Sequence, residues 1–504
     1  MGNWENNIRK VVPYTPGEQP NQTDMIKLNT NENPYPPAPG VTEVLRNTDT
    51  DALRLYPDPA AKDLVHAIAG EYGLQDDQVF VGVGSDDVLA MSFLTFFNSK
   101  KPILFPDITY SFYDVWAELF RIPYERPALD EHFHIKKEDY FRENGGIIFP
   151  NPNAPTGVSL PLSDIEDIVE HNQDVIVIVD EAYVDFGTQS ALPLIEKYEN
   201  LLVVQTFSKS RSMAGMRIGF ALACPKLIKY LNDVKYSFNS YTMNRTSIAA
   251  GVAAIKDQEY FLETCGKIIE TREWTKKELR KLGFYFEESK ANFIFAAHKN
   301  CPAEKLFQAL REQHIYVRYF PGGRTGNHLR ITIGTRNEME VLVQWFTDNL
   351  SQHISRELII FIISMIPILE LRGGLLAASL LKVSAAKAIP ICIIGNIIPI
   401  PFILLFIRQI FKVLKKTKLF HGLIVKMEDR AMGKSDQIKR YEFFGLLLFV
   451  GIPLPGTGAW TGSLIASLLE VDIKKSSIAI FCGLIMATVI MYVVSYGIVG
   501  NLIH

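Results

Sequence analysis

The run LLVVQTFSKSRSMAGMRIGF, residues 201–220, decides how the front of this chain is read. It opens on an unbroken apolar segment, the pattern of a strand buried on both faces of a sheet. Directly behind it stand Thr206, Ser208 and Lys209, and Arg217 follows eight residues past the lysine. Lysine forms a Schiff base with an aldehyde, while hydroxyls, glycine amides and a fixed arginine hold a phosphate. Taken by itself, a lysine after a strand is ordinary solvated surface. Its neighbours have to decide.

Working outward, further short β-rich runs alternate with helical patterns between about residues 75 and 225. They are PILFP (102–106), GIIFPNPN (146–153), DVIVIVDEAY (174–183) and RIGFALA (217–223). Between them lie helix-compatible stretches such as SLPLSDIEDIVEHN (159–172), where Ser163 is placed to cap a first turn ahead of Glu166. Strands alternating with helices predict an α/β domain with a large, mostly parallel sheet. From about 258 to 350 the pattern turns to long charged helices with a strand pair, NFIFAA (292–297) and HLRITIGT (328–335), which reads as a smaller α+β lobe.

Three more places carry chemistry. DEAY puts Asp180 and Tyr183 at the carboxyl end of the most apolar strand, where open α/β sheets bind ligands. An aspartate there keeps a pyridine nitrogen protonated, and a tyrosine hydroxyl bonds a ring oxygen. GVGSDDVL (82–89) sets Ser85 and Asp86 at the start of an apolar helix, a seat for phosphate. Tyr110 in DITYSFY is placed to stack on a planar ring. Singly, each of these is as well explained by a helix cap or a core aromatic.

Together they resemble the fold type I pyridoxal-phosphate aminotransferases, and most closely the histidinol-phosphate aminotransferase family. The resemblance rests on KLNTNENPYPP (27–37), LYPDP (55–59), NPNAPTG (151–157), DEAY, the Lys209 stretch and VRYFPGGRTGNHLRITIGT (317–335), in family order, over roughly residues 5–350. It implies pyridoxal 5′-phosphate as cofactor, with Lys209 as the lysine joined to it. Asp180 would face the ring nitrogen, Tyr183 the ring oxygen and Tyr110 the ring face. Ser85, Asp86, Thr206, Ser208 and Arg217 would surround the phosphate, with Tyr56 reaching in from a second subunit of a homodimer. Arg330 would clamp the substrate carboxylate and Arg318 the substrate phosphate, and Asn33 and Tyr14 also fall among the substrate-binding positions. The family motif has asparagine where this chain has Ala154; Asn153, one residue away, is the candidate to replace it.

The mean composition conceals two halves. Up to His353 there are 36 Lys+Arg against 47 Asp+Glu, and from Ile354 onward 16 against 8. An acidic front argues against nucleic acid, and a basic apolar tail suits an anionic membrane surface. The five cysteines are scattered without CxxC spacing, so a reducing compartment and no metal site are expected. The polar start MGNWENNIRK lacks a secretory pattern, which places the front half in the cytoplasm.

The tail carries ELIIFIISMIPIL (357–369), LLAASLL (375–381), AIPICIIGNIIPIPFILLFI (388–407), FFGLLLFVGIPLPGTGAWTGSLIASLL (443–469) and SSIAIFCGLIMATVIMYVVSYGIVGNLI (476–503). A bilayer core of about 30 Å takes roughly 20 helical residues, so a multi-pass, all-α domain of the inner membrane is expected after residue 352. Glu370 and Arg372, costly in lipid, are expected to pair or to face a polar cavity. The Pro- and Gly-rich centre of 443–469 predicts a broken or re-entrant hairpin. Through ELRGG and PLPGTGAWTG the tail resembles the small multidrug-export protein family, and it resembles the DedA-like membrane proteins as well, implying export. Taking 357–381 as one crossing and 388–411 as the return puts the loop 412–442, with nine Lys and Arg, in the cytoplasm, and His504 outside.

The domains expected are therefore an aminotransferase over 1–352 and a membrane domain over 353–504. Within the first, a large domain spans about 40–255, and the N-terminal arm plus about 256–352 forms the small lobe. The activity expected is transamination between histidinol phosphate and 2-oxoglutarate. Runners-up within the class are a threonine-phosphate decarboxylase and an aromatic aminotransferase; from another class, a transporter whose aminotransferase-like front senses a ligand.

Overall fold

The computed structural model describes residues 3–20, 24–350, 356–367, 369–414, 442–454, 456–468 and 471–499. The chain divides into two units, Met1–Ser351 and Gln352–His504.

The strands of the first unit are, in chain order, β1 (Ile26–Leu28), β2 (Val79–Gly82), β3 (Ile103–Leu104), β4 (Tyr124–Glu125), β5 (Ile147–Pro150), β6 (Val177–Asp180), β7 (Leu201–Thr206), β8 (Gly219–Leu222), β9 (Phe284–Tyr285), β10 (Phe293–His298), β11 (Ile315–Tyr319) and β12 (Leu329–Thr332). Seven form the large sheet in the order β2-β8-β7-β6-β5-β3-β4. All its pairings are parallel except those of β8, which runs against both β7 and β2. The unbroken apolar runs follow from the layering: Val177, Val179, Leu201 and Val203 pack into one core, while Ile178, Leu202 and Val204, alternating with them, pack into another on the opposite face.

The small lobe carries five strands, β1-β11-β12-β10-β9, where the sequence reading had only β10 and β12. Of the three it lacked, β11 has five residues, β1 three and β9 two. Strands of that length show no periodicity, and β1 earns its place by lying parallel to β11, near 290 residues further along the chain. Ser163 does not cap its helix. The helix runs Leu162–His171 behind Pro161, whose fixed φ suits that position, and Ser163 lies inside the first turn.

The second unit is helical and repeats one pattern. Two short helices, Arg356–Met365 and Glu370–Leu380, precede the long stretch Ala385–Phe406; two more, Glu442–Gly451 and Ala459–Leu468, precede Ile473–Gly497. Both long stretches have the length and apolarity to cross a bilayer. The short pairs are hairpins. A Cβ on Gly374 would overlap Ser364 Oγ and lie 3.3 Å from the Ile360 carbonyl, so Glu370–Leu380 runs back along Arg356–Met365. Gly462 sits likewise against Val450 and Leu446. Small residues let the backbones close up where no hydrophobic force between helices operates.

Within the stretch expected to cross once, 357–381, the structure thus has two helices of ten and eleven residues, each about 15 Å long, packed side by side. The break between Glu442–Gly451 and Ala459–Leu468 falls within the Pro- and Gly-rich stretch. Most of the basic loop 412–442, and His504, lie outside the described residues.

Candidate active site

The site forms at the carboxyl ends of β5, β6 and β7. Asp180 ends β6, is 4% exposed, and accepts from Tyr113 Oη at 2.8 Å and from the Ala182 N–H at 3.2 Å. Burial pushes its carboxyl up to about 6. Among the described residues no lysine or arginine pairs with it. A buried carboxylate served only by neutral donors is completed by a cation, which a protonated ring nitrogen provides.

Lys209 lies three residues past β7, and its Nζ donates to the Thr30 carbonyl at 3.2 Å. Burial, with the charge of Arg330 next, brings its amine down to about 8. The backbone around it is held by Asn33, whose Nδ2 donates to the carbonyls of Lys209 and Ser210, each at 3.1 Å. Tyr183 Oη accepts from Asn31 Nδ2 at 2.9 Å, and the Lys209 ammonium lies 5.9 Å from the Tyr183 ring centre.

The candidate phosphate seat is built from backbone and small side chains. The helix Ser85–Phe96 starts behind Gly84, at φ +83°, and a Cβ there would overlap Arg217 Nη2. Gly219 on β8 is pressed equally close: its Cβ would overlap Ser85 N. Arg217 Nη2 donates to Asp86 Oδ2 at 3.1 Å, and Tyr110 Oη donates to Asp86 Oδ1 at 2.8 Å. Thr206 Oγ1 and Ser208 Oγ lie 2.9 Å apart and buried. A free helix N-terminus, two hydroxyls and an arginine around two glycines that admit no side chain fit a phosphate.

Two arginines face one another on neighbouring strands. Arg318 of β11 is directly opposite Arg330 of β12, and both guanidinium groups lie 5.4 Å from the Phe320 ring centre. Arg330 Nη2 donates to the Asn29 carbonyl at 2.9 Å, but its buried Nε has no partner among the described residues. Neither has a carboxylate partner among those residues. Tyr14, on the N-terminal arm, stacks on Phe112 at 4.1 Å.

One expected residue is placed differently. Asn153 spends its amide on its own loop and on the one behind β3, donating to the Ile108 carbonyl and to Thr156 Oγ1 and accepting from Thr109 Oγ1, each at 3.0 Å. Its reach is to the residue before Tyr110. Tyr56 stands 77% exposed with its ring against Tyr241 at 4.6 Å. Sequence reasoning passed over Asn31 and Tyr113; the second repeats the signal of Tyr110 three residues on, in TYSFY.

In the second unit Glu370 and Arg372 do not pair with each other. Glu370, at φ +49°, accepts from the N–H groups of Ala459 and Trp460 at 3.0 Å each, at the start of a helix in the other hairpin. Arg372 donates to the Leu454 carbonyl at 2.7 Å and to Thr457 Oγ1 at 2.9 Å. The two charges join the tips of the two hairpins.

A family model described as "Aminotransferase class I and II" matches residues 23–346, and one described as "Putative small multi-drug export protein" matches 370–490. The chain is 52% identical over 347 residues to a histidinol-phosphate aminotransferase of Lactococcus lactis subsp. cremoris, covering 69% of this chain and 98% of that protein. It is 50% identical over 353 residues to one from Clostridium botulinum, covering 70% and 99%. Among solved structures, histidinol-phosphate aminotransferase from Sinorhizobium meliloti in complex with pyridoxal-5′-phosphate superposes with a TM-score of 0.60 at 22% identity, over 64% of this chain and 90% of that one. The enzyme from Clostridium acetobutylicum gives 0.60 at 23%, over 65% and 100%. At such identities the likeness shows the fold alone, as does that to an L-threonine-O-3-phosphate decarboxylase from Porphyromonas gingivalis (TM-score 0.52, 19%); the relatives at 50–52% identity are histidinol-phosphate aminotransferases, so the decarboxylase alternative is not favoured. Fold and site define the class: a pyridoxal-phosphate-dependent aminotransferase of fold type I. Within that class the chain belongs to the histidinol-phosphate aminotransferase family, and it carries a small multidrug-export domain behind the enzyme.

Proposed function

We propose that residues 1–352 transfer the amino group of histidinol phosphate to 2-oxoglutarate, a step of histidine synthesis. The observation that carries this reading is the facing pair Arg318 and Arg330, two cations without acidic partners among the described residues, the second near enough to Lys209 to depress its amine. The amine brings a phosphate and the keto acid carries carboxylates, and bidentate guanidinium suits both. Arg318 takes the phosphate and Arg330 the carboxylate. Asn33 fixes the Lys209 backbone, and Tyr14 with Phe112 walls the substrate space.

Bound pyridoxal phosphate supplies an aldehyde that accepts amines and a ring that stores electrons. Ser85, Asp86, Thr206, Ser208 and Arg217 hold its phosphate, Asp180 its ring nitrogen, Tyr183 its ring oxygen and Tyr110 its ring face. Asn153 contributes through Thr109, by fixing the loop that carries Tyr110. Lys209 Nζ takes the proton from the substrate carbon bearing nitrogen and passes it on. A depressed amine suits that base, because part of it is uncharged at neutral pH. The exposure of Tyr56 supports a homodimer in which that side chain completes the phosphate seat of the partner.

The second unit, residues 353–504, places the protein in the inner membrane, multi-pass through 385–406 and 473–497, with the enzyme on the cytoplasmic side where its substrates are, and exports a small molecule. Leu358, Ile362, Phe402, Phe444, Phe481 and Val489, exposed on its helices, support contact with lipid.

The test is turnover of the full-length chain with histidinol phosphate, threonine phosphate and phenylalanine as donors, followed in the cofactor's absorbance. Reaction with histidinol phosphate at least tenfold above the others is expected, and none with it refutes the substrate. Lys209→Ala should abolish transamination while membrane insertion persists; a ligand sensor needs no such lysine, so an active variant refutes the site.

A further inference from the structure

Two tyrosines three residues apart, Tyr110 and Tyr113, enter the site side by side, rings edge to face at 5.7 Å. Their hydroxyls part. Tyr110 serves Asp86 at the phosphate seat, whereas Tyr113 donates to Asp180 Oδ2 at 2.8 Å. Tyr113 is fully buried among Phe93, Phe105 and Trp116, so its ring has one place to be and its hydroxyl needs a partner there.

Asp180 is the group for which this matters. It has no cationic partner of its own among the described residues, and Asp86, the charge that faces it, works against its ionisation. Burial does so more strongly and brings the carboxyl up to about 6, opposed by the Tyr113 hydroxyl and the Ala182 N–H. The strand places the carboxylate and the two donors hold it in one rotamer.

We propose that Tyr113 is the positioning residue for Asp180: its hydroxyl orients the carboxylate toward the cofactor's ring nitrogen and keeps it ionised near neutrality before the cofactor arrives. The proposal rests on the reading that Asp180 faces that nitrogen. Tyr113 touches neither cofactor nor substrate; it acts through the acid.

Tyr113→Phe removes one oxygen and keeps the ring packing. Losing a hydrogen bond to a charged group lifts Asp180 by about one pH unit, which at about pH 6 leaves roughly a fifth of the ionised form that the wild type has. The full-length chain, freed of cofactor, is titrated with pyridoxal phosphate at about pH 6 and about pH 8.5. The expected result is a dissociation constant raised roughly fivefold or more at the lower pH and within about twofold of wild type at the higher. Because both proteins meet the same cofactor, its own ionisations cancel in the ratio. Equal weakening at both pH values, the mark of a merely structural role, or no weakening at either, overturns the proposal. Asp180→Asn separates the two readings: it should weaken binding at both pH values. Wild-type affinity in that variant would remove the underlying assignment of Asp180, whereas a weak Asp180→Asn beside an unaffected Tyr113→Phe would reject Tyr113 alone.

Discussion

Lys209 gives the most quantitative prediction. Its amine is brought from an ordinary 10.5 down to about 8, by burial first and the charge of Arg330 second, with Glu32 and Asp86 pulling back. Only the uncharged amine attacks an aldehyde. At pH 7 roughly one in ten amines titrating near 8 is uncharged, against about one in 3,000 of a free lysine side chain, an advantage of about 300-fold. At pH 9.5 the advantage falls to about tenfold, because Lys209 is then nearly all uncharged while the free amine has begun to titrate. The assay is stopped-flow absorbance of pyridoxal phosphate mixed with cofactor-free enzyme, divided at each pH by the rate with Nα-acetyl-lysine, so that the cofactor's own ionisations cancel. The ratio should fall about 30-fold between pH 7 and 9.5. Arg330→Gln removes a charge that disfavours the ammonium, so Lys209 titrates higher and the fall becomes smaller. A ratio independent of pH would mean that Lys209 titrates as an ordinary lysine, and the argument from its surroundings would fail.

Arg318→Ala should weaken the phosphate-bearing amine by about 2 kcal/mol, roughly 30-fold in KM, and leave 2-oxoglutarate unchanged, with Arg330→Ala doing the reverse; steady-state kinetics with each substrate varied would expose a wrong assignment as a swap. Gly84→Ala forces a Cβ into Arg217 at a φ of +83°, so it should raise the dissociation constant for pyridoxal phosphate by about tenfold or more, measured by equilibrium dialysis. Glu370→Ala strands two N–H groups at a helix start and should cost about 1–3 kcal/mol of the second unit's stability, read as faster proteolysis in detergent. Lys382→Cys, in a background without the five native cysteines, should resist a membrane-impermeant label in intact cells, because a hairpin over 356–380 returns it to the side of the enzyme; labelling would restore the single crossing.

The large sheet was legible because its strands are buried on both faces, and such runs announce themselves: Ile178 and Val179 point into opposite cores, so neither position tolerates a polar residue. Lys209, Asp180 and Arg217 were legible because each follows, ends or leads into such a strand. The rest is a matter of what local sequence can carry. The pairing of β1 with β11 joins segments with nothing in common along the chain, and no pattern in three residues reports it. Asn153 shows a different limit. Its residue type suits a ring oxygen, but the amide is already consumed by Ile108, Thr109 and Thr156, and only the folded loop reveals that the donors are taken.

The membrane unit shows what hydropathy alone leaves open. Composition identifies a segment that prefers lipid, but a hairpin and a tilted crossing have the same hydropathy, and what separates them is whether small residues permit close return. Gly374 against Ser364 and Gly462 against Val450 supply that contact, once in each half of the unit. Were 356–380 to return without crossing, the side of everything downstream would invert, and the charge bias of the 412–442 loop, which agrees with a cytoplasmic enzyme when 357–381 crosses, would oppose it. The label at Lys382→Cys decides between the two, because that position changes side with the count of crossings and lies before the basic loop.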